Sequence, residues 1–115
     1  MSQYLDQAVK YHSSWHSCSA SVLMAYRDVL GLSEREAERI ASPMAGGNMG
    51  TCGAVLAAEY VLEQSGRKED ARALREAFEA KNGASLCREI RGKRLRSCRG
   101  CVIDASTLLD DILKK

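Results

Sequence analysis

Apolar side chains recur every three or four positions along almost the whole chain, and nowhere do they alternate over a run long enough for a convincing strand. That periodicity commits the chain to helices. Ser2 to His12 places Tyr4, Leu5, Ala8 and Tyr11 on one face. After the Ser13-Ser14 break, a second helix is predicted from about Ser17 to Leu30, with Val22, Leu23, Tyr26, Val29 and Leu30 inward and Gly31 ending it. Ser33, with Glu36 three residues on, is a capping box opening a short charged helix to Ala41.

Pro43 stops that helix, because proline disfavours helical geometry in the residue before it. A glycine-rich segment, Ala45 to Gly50, runs into Thr51-Cys52-Gly53-Ala54 and a buried-looking helix to about Ser65. Lys68 to Lys81 carries an inner stripe of Ala71, Leu74, Ala77 and Phe78, closed by Asn82-Gly83. Ser85 can cap a short turn from Cys87 to Ile90, a basic loop follows, and Val102, Ala105, Leu108, Leu109 and Ile112 mark a last helix. The expected fold is therefore all-α: one domain over residues 1–115, a bundle of about five to six helices with cysteines at helix N-termini. At 115 residues the chain can bury a real core. Aromatics are only 5%, so Ala, Val, Leu, Ile and Met must build it, with Trp15 expected as a core anchor.

No apolar run is long enough to span a bilayer, and the start MSQYLDQAVK has neither a basic nor an apolar signal region. Cytoplasm is the expected compartment. A net charge of +2 does not call for nucleic acid or membrane as a partner. The charge is nevertheless uneven: between Arg88 and Arg99 six basic residues face one acid, Glu89. This stretch can hold thiolates ionised, dock an acidic electron-carrier protein, or be merely a solvated surface. With no aromatic residues interleaved, nucleic-acid binding is discounted.

Five cysteines in 115 residues is the unusual feature. In a reducing compartment such usage points to metal binding or reactive thiols rather than to structural disulfides. Cys18, Cys52 and Cys87 each fall at a predicted helix start, where unpaired N–H groups and the helix dipole favour a thiolate. A thiol placed there can drop below the free value of roughly 8.5. The alternative for each is an ordinary small buried residue.

The glycines before Cys52 either let the backbone approach a cofactor or anion, with Gly50, Gly53 and Ala54 as the candidate contacts, or simply form a tight connection. Neither a P-loop nor a dinucleotide fingerprint is present. Cys98-Arg99-Gly100-Cys101 is a CxxC without the strand that a thioredoxin would place before it and without a second metal-binding pair. His12 and His16 read as surface or capping residues, His16 being the better placed to tune Cys18. No Ser/His/Asp set, paired-carboxylate signature or HExxH points to hydrolysis.

Taken in order, CSASVLMAY, a glycine-rich loop into CGAVLA, then LCREI and SCRGC resemble the redox-active C_GCAxxG_C_C family, defined by four cysteines and a CGAxxG motif. The likeness runs from about Trp15 to the last helix. It implies that Cys18, Cys52, Cys87 and Cys98 are the four family cysteines, acting as redox thiols or as metal ligands, and that Gly53 and Ala54 belong to the motif. Ala57 stands where the motif has glycine, and Cys101 is extra and creates the CxxC, so that either Cys98 or Cys101 can be the fourth member of the set.

Two functions are expected from this. One is redox chemistry through clustered cysteines, by thiol–disulfide exchange or through a thiolate-bound metal, an Fe–S cluster or zinc. Spacings of 34, 35 and 11 residues between the four do not oppose it, since helix ends converge in space. The other is a non-enzymatic helical adaptor with buried or zinc-bound structural cysteines.

Overall fold

The computed structural model describes residues 3–114, so the expected helix start at Ser2 lies outside the described residues. The architecture is all-helical: α1 Gln3–Ser13, α2 Cys18–Ala25, α3 Arg27–Leu30, α4 Glu34–Ala41, a 3-10 helix Ser42–Gly47, α5 Gly53–Gln64, α6 Lys68–Asn82, α7 Cys87–Gly92 and α8 Cys98–Leu113. Among the described residues the only extended pairing is one antiparallel bridge between Thr51 and Leu86.

The eight α-helices among the described residues exceed the five to six expected, for local reasons. Tyr26 leaves helical geometry (φ −99°, ψ 11°) and divides the second helix into α2 and α3. Its hydroxyl is engaged elsewhere, donating to the Ser106 carbonyl at 3.0 Å and to the Asp110 carboxylate. Past this break Val29, expected inward, is exposed. The basic loop is also shorter than expected, because α7 runs on past Ile90 to Gly92 and α8 already begins at Cys98.

Two helices are buried nearly end to end and form the centre. In α2 every residue from Ser19 to Ala25 is buried; in α5 Gly53, Ala54, Val55, Ala57, Ala58, Val61 and Leu62 are. They pack on each other, with α1, α4 and α8 around α2 and with α6 and α8 against α5. Alanines at the contacts let the helices come close, and Leu23, Tyr26, Leu62, Leu74, Phe78 and Leu109 fill the remaining volume. Two polar groups within this core are satisfied by the backbone: the Ser19 hydroxyl donates to the Ala41 carbonyl (2.9 Å) and the Ser21 hydroxyl to that of Ser17 (2.7 Å), whereas the buried Ser106 hydroxyl has no hydrogen-bond partner among the described residues.

The capping box at Ser33 and Glu36 forms with both of its hydrogen bonds. Two expectations fail. Ser85 does not cap α7; its hydroxyl donates to Glu79 at 3.0 Å, and Leu86 occupies the cap position. Trp15 is not a core anchor but 97% exposed. The link between α1 and α2 turns at this residue with φ 73°, which leaves the indole outside, and the aromatic core is supplied by Phe78 and by Tyr26 stacked on Tyr4 (4.8 Å between ring centroids).

Candidate functional site

Four helices begin at one pole, and each brings a cysteine. Cys18 is the first residue of α2, Cys52 the N-cap of α5, Cys87 the first residue of α7 and Cys98 the first of α8; Cys101 follows one turn later. All five line a single cavity of about 210 Å³, whose remaining wall is His12, Ser17, Ile90, Arg91 and Arg96. Cys98 and Cys101 were expected in a loop. They sit instead in the first turn of α8, because the Ser97 hydroxyl caps that helix by accepting from the Gly100 N–H at 3.0 Å.

The backbone explains the convergence. At the bridge, the Cys52 N–H donates to the Ser85 carbonyl (2.7 Å) and the Cys87 N–H to the Gly50 carbonyl (2.9 Å), which holds these two cysteine segments side by side. Gly47 has φ 77°, and a Cβ there would lie 2.7 Å from Cys87 Cβ. The glycine-rich segment is thus the seat of Cys87. A Cβ on Gly53 would lie 2.7 Å from Cys18 Sγ and 2.8 Å from the Met44 carbonyl oxygen. With no side chain there, the start of α5 closes onto the Cys18 sulfur. Gly50, Gly53 and Ala54, expected as cofactor contacts, are not among the residues lining the cavity; Gly53 packs on protein atoms and Ala54 is fully buried.

Cys52 lies in hydrogen-bond contact with both Cys101 and Cys18. Its thiol is pushed up to about 12, first by its hydrogen bond to Cys101 and then by burial, with Cys18 opposing. Cys101 moves below its ordinary value, chiefly because the Cys52 thiol donates to it, although burial and the neighbouring Cys98 work against this. Placement at a helix start therefore does not acidify every thiol. In this pair Cys52 holds the proton and Cys101 is the more acidic sulfur. Exposure is graded too: Cys98 is exposed, Cys18 and Cys87 are half-buried, and Cys52 and Cys101 are buried.

The polar wall has its own support. Asp104 is 2% exposed and accepts from Arg96 Nε (3.1 Å) and Lys81 Nζ (3.1 Å). Burial alone would raise its pKa; the bonds from Arg96 and Lys81 more than offset this and hold it below the usual carboxylate value. Arg96 lies across Gly100, where any Cβ would collide with the guanidinium, so the glycine of the CxxC makes room for the arginine.

Sequence reasoning passed over His12, Arg91 and Arg96 as wall residues. His12 reaches the cavity because α1 continues through Ser13 instead of breaking there, while His16, singled out as the tuning residue, sits edge-on against Tyr11 (5.5 Å). Burial, and then the charge of Arg99, lower the His12 pKa and favour its neutral form. In the sequence His12 lies four residues before His16, a spacing that suggests a shared helix face without saying what that face meets.

The donor set suits a thiophilic metal, since five sulfurs surround one space. Yet among the described residues no group of three or more His, Cys, Asp or Glu side chains is arranged to hold an ion. No helix among the described residues is long and apolar enough to cross a membrane.

Residues 16–112 match the model of a family described as "Putative redox-active protein (C_GCAxxG_C_C)". No curated protein and no solved structure matches the chain.

Proposed function

The chain belongs to the redox-active C_GCAxxG_C_C family, and from that premise we propose that it works by dithiol–disulfide exchange, with Cys52 and Cys101 as the working pair. The observation that carries this reading is that both of these thiols are buried and line one cavity together with the other three cysteines; the opposite shifts of their acidities, Cys52 up and Cys101 down, support it. Cys18, the third sulfur in contact, and Cys87 and Cys98, on the same wall, complete the redox set.

The unequal acidities assign roles. A thiolate is the attacking species, and Cys101 is the more readily ionised of the pair. In the reduced protein Cys101 accepts the Cys52 proton in a hydrogen bond. In exchange, the Cys101 sulfur bonds to one sulfur of an incoming disulfide and the other sulfur leaves as thiolate. Cys52 then gives up its proton and attacks Cys101 Sγ, releasing the second thiolate and closing Cys52–Cys101. Two electrons pass to the incoming disulfide. The side chains must shift to close this bond, since among the described residues the cysteines form no disulfide.

The test is anaerobic purification with metal analysis and visible absorbance, then thiol titration and peptide mapping before and after equilibration with a thiol–disulfide buffer. The expected result is loss of two thiols per chain and one crosslinked peptide pair joining Cys52 to Cys101. Five thiols persisting at every potential, or a stoichiometric metal that protects them from oxidation, would overturn the exchange reading; the metal result would replace it with a thiolate-bound centre.

A further inference from the structure

We propose that the mouth of the thiol cavity is a binding site for a small anionic disulfide and that Cys98 is the thiol such a ligand meets first. This rests on the exchange reading above, adds its substrate class and, for a ligand arriving at the mouth, places Cys98 ahead of Cys101 as the first thiol to attack, with the same Cys52–Cys101 disulfide as the end point. Cys98 is the exposed member of the five and lies where the cavity adjoins a second surface recess lined by Arg91, Arg94, Arg96 and Ser97. Arg91, Arg96 and Cys98 line both.

The charge at this junction is not cancelled. None of the ion pairs among the described residues engages Arg91 or Arg94. Arg96 is paired, but it shares the single Asp104 carboxylate with Lys81, so two cations face one anion. Asp104 also fixes Arg96 in place before any ligand arrives. Glu89 is the lone acid between residues 88 and 99. A concave, mostly apolar wall with cations at its rim concentrates small anions, and arginine's planar fork suits a carboxylate. Positive charge there also favours the thiolate that leaves. A space of about 210 Å³ enclosed by helix ends favours a small ligand over a folded domain.

The chemistry balances. The Cys98 thiolate attacks one sulfur of R–S–S–R, forming the mixed disulfide Cys98–S–S–R and releasing R–S⁻. Cys101, one helical turn away, attacks Cys98 Sγ and releases the second R–S⁻. Cys52, in contact with Cys101, then attacks Cys101 Sγ and returns Cys98 as thiolate. The ligand gains two electrons, and the protein holds one Cys52–Cys101 disulfide.

Stopped-flow oxidation of the reduced full chain would compare the disulfides of mercaptopropionate, mercaptoethanol and cysteamine, each rate divided by that of the same disulfide with a free thiol. The anionic disulfide is expected to exceed the cationic one by about tenfold at low salt, with the preference shrinking as salt is added. Arg91→Gln, at an exposed position, should reduce that ratio and Arg91→Lys should restore it. Cys98→Ser should slow the anionic disulfide most. Equal normalised rates for all three, or a preference untouched by Arg91→Gln, would overturn the site while leaving the exchange reading intact. If no probe produces a Cys52–Cys101 disulfide, the exchange reading itself fails. A salt-sensitive reaction confined to an acidic carrier protein, with no preference among the small probes, would overturn the small-ligand assignment in favour of protein docking.

Discussion

Gly53 has no room for a methyl group. Of the three atoms that an added Cβ would meet, the Cys18 sulfur and the Met44 carbonyl oxygen lie closer than 3.0 Å and Ser19 Cβ at 3.2 Å, and the Met44 carbonyl belongs to a segment already held by the 3-10 helix. Gly53→Ala should therefore cost about 1–3 kcal/mol, as overpacked sites do. Adding Cys18→Ala should recover only part of it, because Met44 remains. An unchanged urea midpoint for the single variant would show that the pole is looser than described. Asp104 makes a second prediction, in pH. Its folded-state pKa lies below the ordinary 3.8, since Arg96 and Lys81 outweigh its burial. As acid is added, the unfolded chain takes up the proton first. The carboxylate's contribution is then complete above about pH 5, drains through the unfolded value and is gone below the folded one. Asp104→Asn should be less stable than the natural chain at pH 7 and lose less on acidification, as read by urea unfolding between pH 7 and pH 3. Parallel stability curves for the two proteins would refute that assignment. Gly53 stood out in the sequence as a motif letter and a candidate cofactor contact, not as a packing site, and Asp104 was visible only as a polar position beside an apolar stripe; what each touches is set by another helix.

Single-residue contacts of this kind matter because they sit where helices begin. The elements themselves were largely legible: the three-and-four spacing of apolar residues located the main helices, and Ser33 with Glu36 announced its cap. Cysteines at helix starts were legible for Cys18 and Cys87 and, with Cys52 as the cap, for α5. The start of α8 was not, since a dense run of arginines hides a helical turn and Ser97 is its only signal. That cap is testable. Removing its hydroxyl with Ser97→Ala should cost about 1 kcal/mol and fray the turn that carries both Cys98 and Cys101. In the natural chain, alkylation followed by mass spectrometry should modify Cys98 first and Cys52 and Cys101 last, in line with their burial. The variant should accelerate Cys101 markedly and Cys98 little, because Cys98 is already exposed. Modification of Cys101 as fast as Cys98 in the natural protein would contradict the buried placement.

At the scale of the whole molecule, the choice of disulfide determines how much of the chain oxidation constrains. Cys98 and Cys101 are one turn apart in α8, so a bond between them closes a very short loop and barely restricts the unfolded chain. Cys52 and Cys101 instead join α5 to α8, two helices already packed together, across roughly 50 residues of sequence. Closing a loop of that length stabilises a protein by up to about 4 kcal/mol in the chain-entropy account, less any strain in the folded state. This pairing could not be read from the sequence: it joins the extra cysteine to the motif cysteine through the docking of two distant helices, whereas the sequence pointed to Cys18, Cys52, Cys87 and Cys98, with Cys101 only as a substitute for Cys98. Oxidation should therefore raise the melting temperature of the natural chain and flatten its dependence on added reductant once the bond is closed. Cys98→Ser should keep the full gain when oxidised slowly, because the stabilising bond does not involve it. Cys101→Ser should lose the gain altogether. If Cys101→Ser is stabilised by oxidation as much as the natural protein, the working pair lies elsewhere in the cavity, and Cys18, in contact with Cys52, is the sulfur to which the bond would move.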